Sequence, residues 1–191
     1  MRARTALISS DIQFELREVA LRDKPAAMLA VSPKGSVPVL VLPDGGVIEQ
    51  SWDIMLWALR NNDAQNWLGE NECNVPVALP FLLENDSTFK CALDRYKYPE
   101  RHLGQAPYFY RAQGEQFLQQ LEAHLRVMPY LLGAKFSIAD AALLPFVRQF
   151  AAVDSAWFSH APYPQLRNWL SRFTRSELFA QVMQRFPIWQ A

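Results

Sequence analysis

The sequence predicts an α/β segment followed by an all-α segment. Three observations carry that expectation. Residues 1–60 mix helical and strand-like periods in the order α, β, α, β, β, α. Residues 61–74, beginning Asn61-Asn62-Asp63-Ala64-Gln65-Asn66, are polar and poor in periodicity. Beyond them the apolar residues recur at helical spacing. The expected organisation is therefore an N-terminal unit over 1–60, a linker over 61–74 and an all-helical unit over 75–191.

Each element has its own reason. Residues 2–10 read as a helix that begins at the start of the sequence. Ile12-Gln13-Phe14-Glu15-Leu16-Arg17-Glu18-Val19 alternates apolar and polar residues, which predicts a strand with one buried face. Residues 25–31 are Ala-rich with Pro25 at a first helical position. Ser32-Pro33-Lys34-Gly35 is turn chemistry. Val37-Pro38-Val39-Leu40-Val41-Leu42 is rich in β-branched residues, and Pro43-Asp44-Gly45-Gly46 turns it into a short return strand, Val47-Ile48. Residues 51–60 set Ile54, Met55, Trp57 and Ala58 on one side of a helix.

In the second half, Phe117, Leu118, Leu121 and Leu125 define a helix over 114–127. Ser137-Ile138-Ala139-Asp140 is a capping box with Asp in place of Glu. The run after it, Ala141-Ala142-Leu143-Leu144-Pro145-Phe146-Val147, is almost wholly apolar and predicts a central helix that Pro145 should kink. Residues 166–173 and 177–186 read as two further helices.

Composition narrows the function. Hydrophobic residues make up 50% of the 191, enough to bury a core. Lys+Arg and Asp+Glu are 19 each, and so even a balance argues against a nucleic-acid coat or a polybasic membrane anchor. No apolar run is long enough to span a bilayer, and the first residues lack a signal-peptide core. Two cysteines, Cys73 and Cys91, make neither a disulfide framework nor a cysteine metal cluster. The expected setting is cytoplasmic.

Few residues carry chemistry. Val37-Pro38 reads either as an ordinary trans peptide on an edge strand or as a cis bond that turns the Val37 backbone out towards an extended peptide. Gln50 and Ser51 lie where a strand gives way to a helix. Ser51 either caps that helix or, with its amides and dipole, holds the carboxylate of an amino-acid head group whose ammonium meets Gln50. His102, His124 and His160 lack metal-ligand spacing, and no metal is expected. The stretch Phe89 to Tyr98 reads as a half-solvated helix face rather than a groove lining.

Taken in order, Ser32-Pro33-Lys34-Gly35-Ser36-Val37-Pro38-Val39-Leu40, the Asp-Gly turn, Val47-Ile48-Glu49-Gln50-Ser51 and Ser137-Ile138-Ala139-Asp140-Ala141-Ala142-Leu143-Leu144-Pro145 resemble the glutathione S-transferase family, in an omega-like or glutaredoxin-2-like branch. The resemblance spans nearly the whole sequence. It implies a thioredoxin-like N-terminal domain and an all-helical C-terminal domain. It implies that Pro38 is cis, that Val37 pairs its backbone with the cysteinyl part of glutathione, and that Gln50 and Ser51 hold the γ-glutamyl part. Lys24 is similar to a lysine that reaches the tripeptide in the omega-like branch. The Ser137/Asp140 box would serve folding.

The match has a departure. The family's first strand, and the Tyr, Ser or Cys that follows it, have no counterpart, because the sequence opens at the first helix. The thioredoxin-like domain is thus expected to be truncated, either through a misassigned start or as a truly shortened noncatalytic relative. The catalytic residue is unknown, and Ser9 and Ser10 are candidates only in a rearranged site. Three functions follow: a glutathione-dependent transferase or thiol-disulfide enzyme, a noncatalytic glutathione-binding module, or an interaction protein on the same scaffold. The expected cosubstrate is glutathione, the second substrate an unidentified small electrophile or disulfide, and the assembly a homodimer. The electrophile would meet helical residues such as Tyr96.

Overall fold

The computed structural model describes residues 1–102 and 104–190. They form two compact units, residues 1–65 with 177–190 and residues 66–176. The sequence grouping placed 177–191 with the helical half. The structure instead packs that segment on the first helix.

In the first unit, α1 (Arg2–Ser9) buries Ala3, Ala6 and Leu7 and packs on α3 (Ser51–Asn61). The Asn62 amide donates to the Ser10 carbonyl at 3.1 Å, joining the two C-terminal ends. Residues 12–19 do alternate in burial, with Ile12, Phe14 and Leu16 half-buried between exposed neighbours. They are nevertheless not a strand. A strand needs a ladder of backbone bonds, and among the described residues this segment has a single parallel bridge, Glu18 to Ile188. There the Trp189 N–H donates to the Glu18 carbonyl at 2.8 Å, and the Arg17 guanidinium lies over the Trp189 ring at 4.6 Å.

After α2 (Ala26–Val31) comes the only sheet among the described residues, a hairpin of β1 (Leu40–Val41) and β2 (Val47–Ile48). The expected strand over 37–42 is thus reduced to two residues. Its turn is closed by the Leu42 N–H to the Gly46 carbonyl at 2.8 Å and by the Gly46 N–H to Asp44 Oδ1 at 2.9 Å. Gly45 takes φ +87°, a conformation glycine reaches without a Cβ clash.

The second unit is all helical. Its core holds α4 (Asn74–Glu84), a π-helical turn over Asn85–Phe89, α5 (Lys90–Lys97), α6 (Pro107–Val127) and α7 (Ile138–Val153). α8 (Ser155–His160) and α9 (Pro164–Thr174) follow. The last helix, α10 (Glu177–Val182), belongs to the first unit and ends four residues before the expected Phe186. The expected linker contains Trp67, 1% exposed, whose carbonyl accepts from the Ile138 N–H at 3.1 Å. A buried indole inside a polar stretch leaves no periodicity to read.

Asp140 organises this unit. Its carboxylate accepts from the backbone N–H of Ser137 at 2.9 Å and of Leu131 at 3.0 Å, from the Ser137 hydroxyl, and from Trp169 Nε1 at 2.7 Å. Burial raises its pKa while those donors pull it down, and burial prevails. The capping box is present as expected, and it also fastens α7 to α9 and to the loop before it. Pro145 lies inside α7, which continues as one element to Val153. Glu122 on α6 reaches the N-terminus of α9, accepting from the Leu166 N–H at 2.9 Å. Gly114 lets Phe150 approach: a Cβ at Gly114 would lie 2.3 Å from the Phe150 ring.

Candidate functional site

Val37, Pro38, Gln50 and Ser51 of the expected site residues lie in two segments that leave the same end of the hairpin, and Lys24 lies before α2. Leu40 stands opposite Ile48, and Val41 opposite Val47. The pairing is antiparallel, so the segment before β1 and the segment after β2 leave from the same end. The first segment holds Val37 and Pro38. The second holds Gln50 and Ser51.

The first loop begins at the end of α2. The Ser32 N–H donates to the Met28 carbonyl and the Gly35 N–H to the Ser32 carbonyl, each at 2.9 Å. Gly35 has φ +61°, and a Cβ there would stand 3.2 Å from Leu29 Cδ2 and 3.6 Å from Lys24 Cδ. The Lys24 stem therefore lies against this turn at Gly35, two residues before Val37. The Val37-Pro38 peptide is cis. Val37 is 47% exposed, and among the described residues its N–H and C=O pair with no other backbone group. An edge with unpaired backbone groups is what an extended peptide ligand needs.

The second loop decides between the two readings of Ser51. Gln50, in extended conformation (φ −104°, ψ 133°), is the residue that precedes α3, and its carbonyl accepts the Ile54 N–H at 3.0 Å. No side chain caps α3. Ser51 is therefore the first helical residue and not the cap. Its hydroxyl stands beside first-turn amides that have no partner within the helix. Asp53, in the same first turn, already adds negative charge there.

A feature that sequence reasoning missed joins the loops. The Ser32 hydroxyl donates to Glu49 Oε1 across seventeen positions of the sequence. Ser32 is fully buried. In the sequence Ser32 looks like part of a turn, and no local spacing announces its partner.

The other candidates lie elsewhere. Ser10 is buried and bonded through its carbonyl to Asn62 at the C-terminal end of α3. Ser51 opens the same helix, eleven residues long, so the two ends are about 16 Å apart at 1.5 Å per residue. Ser9 and Ser10 are thus not part of this site. Tyr96 is 5% exposed and packs on Phe150, ring centroids 5.1 Å apart, so it is a core residue and not a substrate contact. Residues 89–98 bury Phe89, Ala92, Leu93 and Tyr96 and expose Lys90, Cys91, Asp94 and Lys97, the half-solvated face expected. Among the described residues no three His, Cys, Asp or Glu side chains stand where they could hold a metal ion. No helix among them is long and apolar enough to cross a membrane.

Comparison with known proteins bears on the fold and the family. Residues 1–60 match the family model for the glutathione S-transferase N-terminal domain, and residues 92–172 that for the glutathione S-transferase C-terminal domain. No curated protein matches the sequence. Among solved structures, the chain is similar to the bacterial glutathione transferase BphK in its ternary complex, at 23% identity and a TM-score of 0.79, over 95% of this chain and 92% of that one. It is similar to the sphingomonad glutathione S-transferase complexed with glutathione, at 22% identity and a TM-score of 0.76, over 95% and 91%. It is also similar to a glutathione transferase family member from Pseudomonas fluorescens pf-5 with two glutathione bound, at 15% identity and a TM-score of 0.79, over 95% and 86%. At such identities the likeness is one of fold, a thioredoxin-like first part followed by a helical part. With the two domain matches, which together span most of the sequence in the family's order, it shows that the chain belongs to the glutathione S-transferase family.

Proposed function

We propose that residues 24–51 bind glutathione, and that the protein uses it as the cosubstrate of transfer to an electrophile or of thiol-disulfide exchange. The observation that carries this reading is the juxtaposition at one hairpin end of an unpaired Val37 backbone and an uncapped helix start at Ser51. In this reading Val37 pairs with the cysteinyl backbone. Gln50 and Ser51 hold the γ-glutamyl head group, and Lys24 meets a carboxylate of the tripeptide. Glutathione bound by the family's relatives supports the choice of ligand.

The chemistry follows from the thiol. Glutathione loses its proton and the thiolate attacks. With an electrophile it forms a carbon–sulfur bond, and a leaving group departs with the displaced electron pair. With a mixed disulfide it forms a new sulfur–sulfur bond, and the other thiolate leaves. A bound thiolate needs a nearby donor or cation to lower its pKa. We assign that role to no residue of this chain. A noncatalytic glutathione-binding module is the second reading, favoured by the position of Ser9 and Ser10 at the far end of α3.

We also propose a cytoplasmic homodimer. Cys73 and Cys91 are free and exposed, as a reducing compartment allows. Leu79 and Leu83, one turn apart on α4, are 38% and 67% exposed and suit a contact with a second copy.

Calorimetric titration with glutathione and a turnover assay with a generic electrophile or a glutathionylated thiol separate the readings. Binding with turnover supports the transferase. Binding without turnover supports the module. Absence of binding at millimolar glutathione refutes both.

A further inference from the structure

We propose that Ser32 and Glu49 are positioning residues, a part-buried tie that sets the distance between the two loops proposed to grip glutathione. The proposal rests on the glutathione reading above. In that reading the Val37 backbone on one loop and the Ser51 hydroxyl with the first-turn amides on the other are short, fixed groups, so engaging both at once depends on the spacing of the loops. The hairpin alone controls that spacing weakly, because β1 and β2 are two residues each. The Ser32–Glu49 hydrogen bond supplies the missing constraint.

Its placement suits the role. Ser32 is held on three sides. Its N–H bonds to Met28, its carbonyl to Gly35 and its hydroxyl to Glu49. The side chain is fully buried, so the hydroxyl has no water to exchange with. Glu49 is half-buried and immediately precedes Gln50 and Ser51. A hydroxyl bonded to a carboxylate is stronger and more directional than a neutral pair. Losing either member frees both loops at once. Neither residue needs to touch the tripeptide.

The test compares Ser32→Ala, Glu49→Ala, the double variant and Glu49→Gln. Each unfolding midpoint is measured first, and glutathione affinity is then measured well below it. Ser32→Ala and Glu49→Ala should each weaken binding about tenfold, the order expected when a hydrogen bond to a charged group is lost. The double variant should be no worse than the weaker single one, because both remove the same tie. Glu49→Gln keeps an acceptor for Ser32 and should recover most of the affinity, whereas a Glu49 that met the ligand through its charge would not be rescued.

Backbone hydrogen exchange without ligand gives a second readout. Ser32→Ala should speed exchange at 49–54, and Glu49→Gln should leave it near wild type. Wild-type binding with unchanged affinity in both alanine variants overturns the positioning role alone. Multiplying effects in the double variant, or exchange changes confined to the mutated loop, also overturn it. A wild-type protein that does not bind glutathione removes the site reading and the positioning role together, while the exchange result still shows whether the tie joins the loops.

Discussion

Two helices, α7 of the helical unit and α2 of the first unit, differ in how much of their apolar surface they bury. α7 buries every residue from Ile138 to Leu144, and its one charged side chain there, Asp140, is completely enclosed and bonded by four donors. α2 buries none of its six residues, although all six are apolar. The helical unit is stabilised by aromatic packing, such as Phe89 against Phe117 and Phe150 at 5.0 and 5.2 Å, and by buried carboxylates that cap helices. The unit containing α2 offers exposed backbone and a two-stranded sheet, held at the candidate site by the Ser32–Glu49 bond. Dense packing and the proposed ligand contacts thereby fall in different parts of the chain.

That division predicts where substitutions act. Asp140→Ala should have the largest effect on stability. It leaves buried N–H groups of Leu131, Ser137 and Trp169 without an acceptor, and a loss of about 3 kcal/mol or more is expected in urea unfolding. Gly114→Ala comes next. Alanine favours helices by about 1 kcal/mol over glycine, yet its Cβ meets the Phe150 ring, and overpacking of this kind costs about 1–3 kcal/mol. The net change should be destabilising, and a second substitution, Phe150→Leu, should relieve it. A stabilising Gly114→Ala would contradict the packing described for this unit.

A smaller effect depends on pH. The Tyr163 hydroxyl donates to Glu115 at 2.8 Å, and burial, with that bond second, lifts its pKa from 10.0 to about 12. The native state then keeps a proton that the unfolded chain has lost. This contribution is complete below pH 10.0 and is lost as pH rises towards about 12. Unfolding midpoints should fall across that window, less steeply in Tyr163→Phe. The smallest effect belongs to the surface pair of His102 and Asp94, at 3.0 Å. His102→Ala should change stability by less than about 0.5 kcal/mol.

Much of the helical unit was legible because its signals are local. Leu118, Leu121 and Leu125 repeat at helical spacing, and the Ser137/Asp140 box is four residues long. Trp67 was not legible, since a lone buried indole has no period. The first unit shows the opposite failure. Residues 12–19 have the burial alternation of a strand, but a strand exists only through a partner, and among the described residues they have one bridge. At the candidate site, Val37, Pro38, Gln50 and Ser51 could be proposed from motif order, and Lys24 from the resemblance. The Ser32–Glu49 tie could not, because its members are seventeen positions apart and neither type is unusual where it stands.

The claim that this hairpin end binds glutathione is tested most directly by thermal unfolding with and without the tripeptide. A ligand at one hundred times its dissociation constant adds about 2.7 kcal/mol of stability. In a chain of this length that raises the midpoint by about 5 °C or more. The account predicts such a rise, and its loss in Ser51→Ala with the ligand-free midpoint almost unchanged. An unchanged midpoint at millimolar glutathione, or a rise that survives Ser51→Ala in full, would contradict it.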